Sequence, residues 1–161
     1  MTAVVMLETP IGRLAIRAGE RGLERIGFVD APVAEEGAGR ARELAEQGRQ
    51  ELREYFDGAR TRFHVPLAPE GTEFQKRVWE RVRVVAWGQR TSYGAIARAL
   101  GSEGLARAVG AAVAANPLPI IVPCHRVVAG DGKPTGYAWG IERKAWLLEH
   151  ESGQARLLEA P

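Results

Sequence analysis

Apolar and polar positions alternate through the first thirty residues, interrupted twice by glycine-bearing turns. Residues 3–7 read as a strand, Thr9-Pro10-Ile11-Gly12 reverses it, and residues 13–18 follow with Leu14 and Ile16 on one face. A second turn, Gly19-Glu20-Arg21-Gly22, leads into a third strand at 23–29. The period then changes. After a Gly/Ala/Pro loop at 31–39, Leu44, Leu52, Tyr55 and Phe56 recur at helical spacing over 40–56, among charges suited to an exposed face. Asp57-Gly58 stops that helix, and 63–67 is a short extended piece. Pro66, Pro69 and Gly71 mark a linker at 67–71, dividing an N-terminal sheet domain (1–66) from a second domain over 72–151.

In the second domain Thr72 is a helix N-cap, and Phe74, Val78, Val82 and Val85 mark one face as far as Trp87-Gly88. Thr91-Ser92-Tyr93-Gly94 begins a short helix over 91–100 that Gly101 ends. Ser102 caps another over 103–115, which stops at Asn116-Pro117. Two short helices about a glycine turn form a helix-turn-helix candidate. The second is almost devoid of bulk: Ala106, Ala108, Gly110, Ala111, Ala112, Ala114 and Ala115 surround its one cation, Arg107. Such a helix either presses its backbone against a partner or packs tightly in a core. Ile120-Ile121-Val122 reads as a short buried strand by its β-branched content. Turn-rich loops at 129–134 and 136–140 precede a terminal helix over 141–149, with Trp146, Leu147 and Leu148 inward and a frayed tail over 152–161. The fold class is α+β.

Composition narrows the function. The 161 residues are 45% hydrophobic and 26% charged, values of a soluble globular protein. No run of 18 apolar residues spans a membrane. The N-terminus shows no basic segment followed by an apolar one, and a single cysteine forms no internal disulfide, so the expected setting is cytoplasmic. One cysteine and three histidines, without CxxC or HExxH, argue against a metal site, and no phosphate-cradling glycine loop appears. The net charge of +2 is uneven: residues 71–148 carry 11 basic against 5 acidic side chains, residues 1–66 carry 10 against 11. A basic second domain fits a polyanion partner, though solvated surface charge gives the same count.

The candidate chemistry lies in Pro123-Cys124-His125-Arg126-Val127, which joins the only cysteine to an imidazole. A thiol beside a base is an activated nucleophile; a lone cysteine is equally a small buried hydrophobe. Adjacency alone leaves both readings open.

The longer string Asn116-Pro117-Leu118-Pro119-Ile120-Ile121-Val122-Pro123-Cys124-His125-Arg126-Val127 resembles the active-site signature of the O6-alkylguanine-DNA alkyltransferases, also called methylated-DNA–protein-cysteine methyltransferases. The resemblance extends over about 72–151, through Thr91-Ser92-Tyr93-Gly94, Ala106-Arg107-Ala108-Val109-Gly110, Gly136-Tyr137 and Arg143-Lys144. The Thr-Pro-Ile-Gly hairpin looks like the family's small sheet domain. The resemblance implies a ribonuclease H-like N-terminal domain and a mostly helical, winged helix-turn-helix-like C-terminal one.

It further implies irreversible, stoichiometric transfer of an alkyl group from O6 of guanine onto Cys124. His125 takes the thiol proton through a water, Glu151 orients the imidazole, Tyr93 protonates O6, and Asn116 bridges backbone groups near the cysteine. The carbonyls of Cys124 and Val127 and the N–H of Ala138, where several relatives have serine, hold the base. Tyr137, Trp139 and Pro119 line its pocket. Arg107 enters the stack vacated by a flipped nucleotide. Ala106, Ala108, Gly110 and Ala111 let the helix into the minor groove, and Thr91, Ser92, Tyr93 and Arg126 also face DNA. The implied partner is double-stranded DNA containing alkylated guanine, bound without sequence specificity by a monomer and with no cofactor; the resemblance leaves open whether O4-alkylthymine is a second substrate. A lesion sensor that transfers nothing, a helix-turn-helix transcription factor and a thiol redox sensor are the competing classes. The first lacks the cysteine, the second needs more base-reading side chains than Arg107, and the third needs a partner thiol.

Overall fold

A computed structural model of the chain describes residues 1–130 and 136–159, with side chains up to residue 152. The chain divides into two compact units, Met1–Glu70 and Gly71–Pro161. In the first, β1 (Ala3–Thr9), β2 (Gly12–Ala18) and β3 (Leu23–Phe28) form an antiparallel meander. Alternation turns Val5 and Leu7 to one face, where they pair with Ile16 and Leu14. A bulge at Arg17/Ala18 lets Ala18 pair with Leu23 and keeps both side chains buried.

Helix α1 (Gly39–Phe56) covers that face with Ala41, Leu44, Ala45, Leu52 and Tyr55. It approaches so closely at Gly48 that a Cβ there would lie 2.7 Å from Leu23 Cδ1. Gly58, at φ +80°, ends it, and the Ala59 N–H reaches back to the Glu54 carbonyl. The buried Glu51 carboxylate accepts from the N–H groups of His64 and Val65, which fastens the extended piece at 63–67 to α1. Residues 67–70 of the expected linker belong to this unit: Leu67 bridges Leu23, and the Ala68 N–H donates to the Leu23 carbonyl.

The second unit begins with α2 (Glu73–Arg83), capped by a reciprocal Thr72–Gln75 box. Helix α3 (Tyr93–Ala99) follows, capped by Ser92, and Gly101 at φ +120° turns the chain. A single 3-10 turn, Glu103–Leu105, leads into α4 (Ala106–Ala114). Val109, Ala112 and Val113 are the buried face of α4, and Trp79 Nε1 of α2 donates to the Ala112 carbonyl at 2.8 Å. The core-packing reading of the alanine-rich helix holds for this face, and the opposite one, with Arg107, Ala108 and Ala111, is exposed. Residues 91–92, expected inside a helix, instead form β4 (Thr91–Ser92), paired in parallel with β5 (Val127–Val128).

Helix α5 runs Ile141–Glu159, past the expected end at residue 149 and through most of the expected tail. His150 on it stacks on Trp146 and meets Trp87 edge-on. Among the described residues no helix is long and apolar enough to cross a membrane.

Candidate active site

The segment after α4 is not a strand. Ile120, at φ +77°, is the one non-glycine residue among those described with a positive φ, a strained conformation for a β-branched side chain. The β-branched run correctly signalled burial but not direction, because the chain doubles back within four residues. The Val122 N–H donates to the Leu118 carbonyl at 2.9 Å, and the buried Asn116 amide clamps the same loop. Its Oδ1 accepts from the Leu118 N–H at 3.0 Å, and its Nδ2 donates to the Val122 carbonyl at 2.9 Å. Pro123, at φ −79° and ψ 65°, then forms an inverse γ-turn that closes with a 2.7 Å bond from the Cys124 N–H to the Val122 carbonyl. Cys124, His125 and Arg126 occupy one 3-10 turn, so consecutive side chains diverge.

Cys124 is 3% exposed and stands in the wall of a cavity of about 300 Å³. Tyr93 of α3, Gly110, Val113 and Ala114 of α4, and Gly136, Tyr137, Ala138 and Trp139 of the following loop complete the described lining. Burial pushes the Cys124 thiol up to about 11, against the side chains of Asn116 and Tyr137 and the charge of Lys144. At neutral pH about one thiol in ten thousand is then ionised. The resting group is a thiol that needs a base. The Tyr137 hydroxyl lies near it, buried, without an aligned hydrogen bond to any described group. Burial, and then the sulfur's charge, hold both the Tyr93 and Tyr137 phenols above their ordinary value. Both are proton donors.

His125 is fully buried, and its Nε2 lies 2.7 Å from Glu151 Oε2. Burial lowers its pKa more than Glu151 raises it, so the imidazole is neutral at pH 7. Burial also works against the Glu151 charge, but His125 and Arg126 outweigh it and hold the carboxyl at about 2. With His125 uncharged, the lasting partner is Arg126. An ionised Glu151 accepts from Nε2–H and so leaves Nδ1 as the basic nitrogen, buried and without a described partner.

Arg126 is a correction. Expected to face DNA, it is 5% exposed and forks onto Glu151, with Nε 2.8 Å from Oε1 and Nη2 2.9 Å from Oε2. Its Nη1 donates to the Val85 carbonyl at 2.6 Å. Following His125 in a 3-10 turn aims it inward, and its donors are spent on protein.

The other expected residues divide by location. On α4, Arg107, Ala108 and Ala111 are exposed, and Ala106 and Gly110 are half-buried. Thr91 and Ser92 are half-buried in β4, the Ser92 hydroxyl being engaged by the Ala95 N–H. Trp139 lines the cavity, its ring edge-on to Tyr137 with centroids 5.4 Å apart. Pro119 and Val127 are buried outside the described lining. The Cys124 carbonyl accepts from the Val127 N–H, and the Val127 carbonyl from Lys144 Nζ at 2.7 Å; each oxygen keeps a second lone pair. Sequence reasoning gave Lys144 no role. Lysine is so rarely buried that nothing in its neighbourhood marks it.

Known proteins match this arrangement along the whole chain. The model of the 6-O-methylguanine DNA methyltransferase DNA binding domain matches residues 73–153, and that of the ribonuclease-like domain matches 5–69. A methylated-DNA–protein-cysteine methyltransferase of Methanosarcina acetivorans is 40% identical over 155 residues, covering 91% of this chain and 96% of that protein. The crystal structure of Mycobacterium tuberculosis O6-methylguanine methyltransferase superposes with a TM-score of 0.82 at 36% identity, over 100% of this chain and 96% of that one. Mycobacterium tuberculosis OGT in complex with DNA gives 0.81 at 38% identity, over 92% of each chain.

Proposed function

The chain belongs to the methylated-DNA–protein-cysteine methyltransferases, and from that premise we propose that Cys124 is the alkyl acceptor and that the groups around it move the protons. It repairs DNA by direct reversal, taking the alkyl group onto its own cysteine. This chain has one cysteine.

The step balances without another reagent. The Cys124 sulfur attacks the alkyl carbon on guanine O6, forming S–C as C–O6 breaks. The bonding pair leaves with O6, which gains a proton from Tyr93; the thiol proton passes through a water to His125 Nδ1, and solvent then returns a proton to the Tyr93 phenolate and takes one from the imidazolium. Glu151, kept ionised by Arg126, stabilises the imidazolium that results. The observation that carries this reading is geometric: Cys124 lines the cavity, while the next residue, His125, has its Nε2 held 2.7 Å from Glu151 and its Nδ1 buried without a described partner. A thioether has no leaving group that water readily displaces, so each molecule acts once.

Reaching O6 requires extruding the nucleotide from the stack, which costs a few kcal/mol. The exposed small side chains of α4 support entry into the minor groove, with Arg107 filling the vacated place and backbone contacts setting affinity independently of sequence. The cavity's Tyr137 and Ala138 edge would take the base. Residues 1–66 serve as a separate sheet domain and 72–151 bind DNA and carry the chemistry, as a monomer.

Intact mass after incubation with DNA containing O6-methylguanine tests the reading. A gain of one methylene equivalent on the peptide containing Cys124 is expected, and Cys124→Ser should gain none while still binding DNA. Methyl loss from DNA in a single turnover with the Ser variant would overturn it.

A further inference from the structure

The free edge of β1 is finished by a strap rather than by a further strand. Residues 33–37 run along it, and Val4 and Glu36 exchange both backbone hydrogen bonds at 3.0 Å. Gly37, at φ +102°, turns the chain so tightly over Ala3 that no Cβ would fit there. At Met6 the edge is closed by side chains instead. The Met6 N–H donates to Glu35 Oε2 at 3.0 Å, and the Met6 carbonyl accepts from Arg49 Nη1 at 3.1 Å. Arg49 in turn holds Glu35 at 2.6 Å.

The third tie at Met6 is its sulfur. The alternation that buries Val5 and Leu7 turns the Met6 side chain to the other face of the sheet, where it is half-buried. There Sδ accepts the Val33 N–H at 3.0 Å. A thioether is a weak acceptor, and it is a group that peroxides oxidise.

We propose that Met6 is a modification site: a hydroperoxide converts its thioether to the sulfoxide, and the sulfoxide releases the strap from the edge of β1. With hydrogen peroxide the sulfur attacks one oxygen, and S–O forms as O–O breaks. The departing hydroxide takes the proton of the transferred oxygen and leaves as water. Sulfur loses two electrons and the peroxide gains them.

At 3.0 Å there is no room for an oxygen between Sδ and the Val33 nitrogen. An oxygen on that side pushes Val33 outward. An oxygen on the other side leaves its N–H facing a sulfur made electron-poor. Either way the sulfur tie is lost, and Glu35 and Glu36 hold the strap alone. An opened strap bares the N–H and carbonyl groups of Val4 and Met6, the row that an unprotected edge offers to another chain. The cover of this edge thus depends on the redox state of one side chain.

The test uses the full chain carrying Cys124→Ser, in which Met1 and Met6 are the only sulfur-bearing residues. Hydrogen peroxide is added, peptide mass follows the oxygen, and hydrogen exchange follows the Val4, Met6, Val33 and Glu36 amides. Met1, 86% exposed, supplies the rate of an open methionine. The expected result is one oxygen on Met6, with those amides exchanging about tenfold faster, as loss of a net hydrogen bond or two produces. With Met6→Leu added, peroxide should leave their exchange unchanged.

Three results overturn the proposal: a Met6 that stays reduced once Met1 is fully oxidised, a Met6 sulfoxide whose strap exchanges at the unoxidised rate, and an acceleration that persists in Met6→Leu. Should the serine variant not fold, oxidised wild type gives the same reading, since Met6 and Cys124 fall on separate peptides.

Discussion

His125 Nε2 and Glu151 Oε2 meet 2.7 Å apart, across a sequence separation of 26 residues, and neither side chain reaches solvent. The contact exists because α5 continues through residue 151 and brings its carboxylate beneath the 3-10 turn that carries Cys124 and His125. The same oxygen also accepts from Arg126, so one carboxylate sets the imidazole tautomer and balances a buried guanidinium.

Glu151→Gln should therefore do two things. It should slow methyl transfer by about 10²–10⁴-fold, the usual worth of general-base assistance, with DNA affinity unchanged. It should also destabilise the fold by on the order of 3–5 kcal/mol, because Arg126 is left buried without its counter-charge. Single-turnover rates and melting temperatures measure the two separately. An unchanged rate in the folded variant would remove Glu151 from the proton path.

Acid should weaken the fold in two stages. His125 titrates below its ordinary 6.5 and Glu151 below 4.5, at about 2, so both bind protons less readily folded than unfolded. Each contributes stability that is complete above its unfolded value and lost as pH falls toward its folded one. Tm should decline from about pH 6.5 downward and more steeply below about 4.5, with the lower limb reduced in Glu151→Gln. A Tm constant between pH 7 and 3 would contradict both assignments.

The sheet and α1 were legible because alternation and helical spacing are local patterns, and Thr72 announces the start of α2, where the structure adds the reciprocal bond from Gln75. Cys124 and His125 were legible as a motif. What failed were directions. The apolar content of residues 120–122 cannot reveal that Ile120 adopts φ +77°, since that depends on an Asn116 clamp formed only in the folded loop. Arg126 and Lys144 carry charges that by habit lie at the surface. Both are buried because partners distant in sequence, Glu151 for one and the Val127 carbonyl for the other, replace water.

Asn116→Ala removes both halves of that clamp. The Leu118 N–H and the Val122 carbonyl lose their Asn116 partner, the N–H outright, at a cost of on the order of 1–3 kcal/mol per unsatisfied buried group. Thermal unfolding should show the loss. The strained Ile120 turn should also relax and misplace Cys124, so methyl transfer should fall at temperatures where the variant is still folded. Wild-type stability in the alanine variant would mean the turn holds without the amide.

Arg107→Ala should weaken repair of duplex DNA far more than reaction with a free O6-alkylguanine base. Arg107 is exposed on α4 and is not part of the described cavity lining, so it has no path to the chemistry except through the DNA. The free base needs no flipping and should react at close to the wild-type rate. Equal losses on both substrates would assign Arg107 to the fold instead.

Trp139 should set the size of alkyl group that the cavity accepts. It lines the same space of about 300 Å³ as Cys124, and its edge-on contact with Tyr137 fixes the indole on the loop side. A methyl group on O6 adds little volume, whereas a benzyl group must occupy space near the indole. Overpacking of that kind costs on the order of 1–3 kcal/mol, roughly 5–150-fold in rate. Wild type should therefore be inactivated slowly by O6-benzylguanine while repairing methylated DNA well, and Trp139→Gly should be sensitised to the benzyl base. Titrating both proteins with that base and then assaying residual methyl transfer measures the difference. Equal sensitivity would show that the indole yields without cost, and that the cavity's limit lies at Tyr93 and Val113 on the opposite helices.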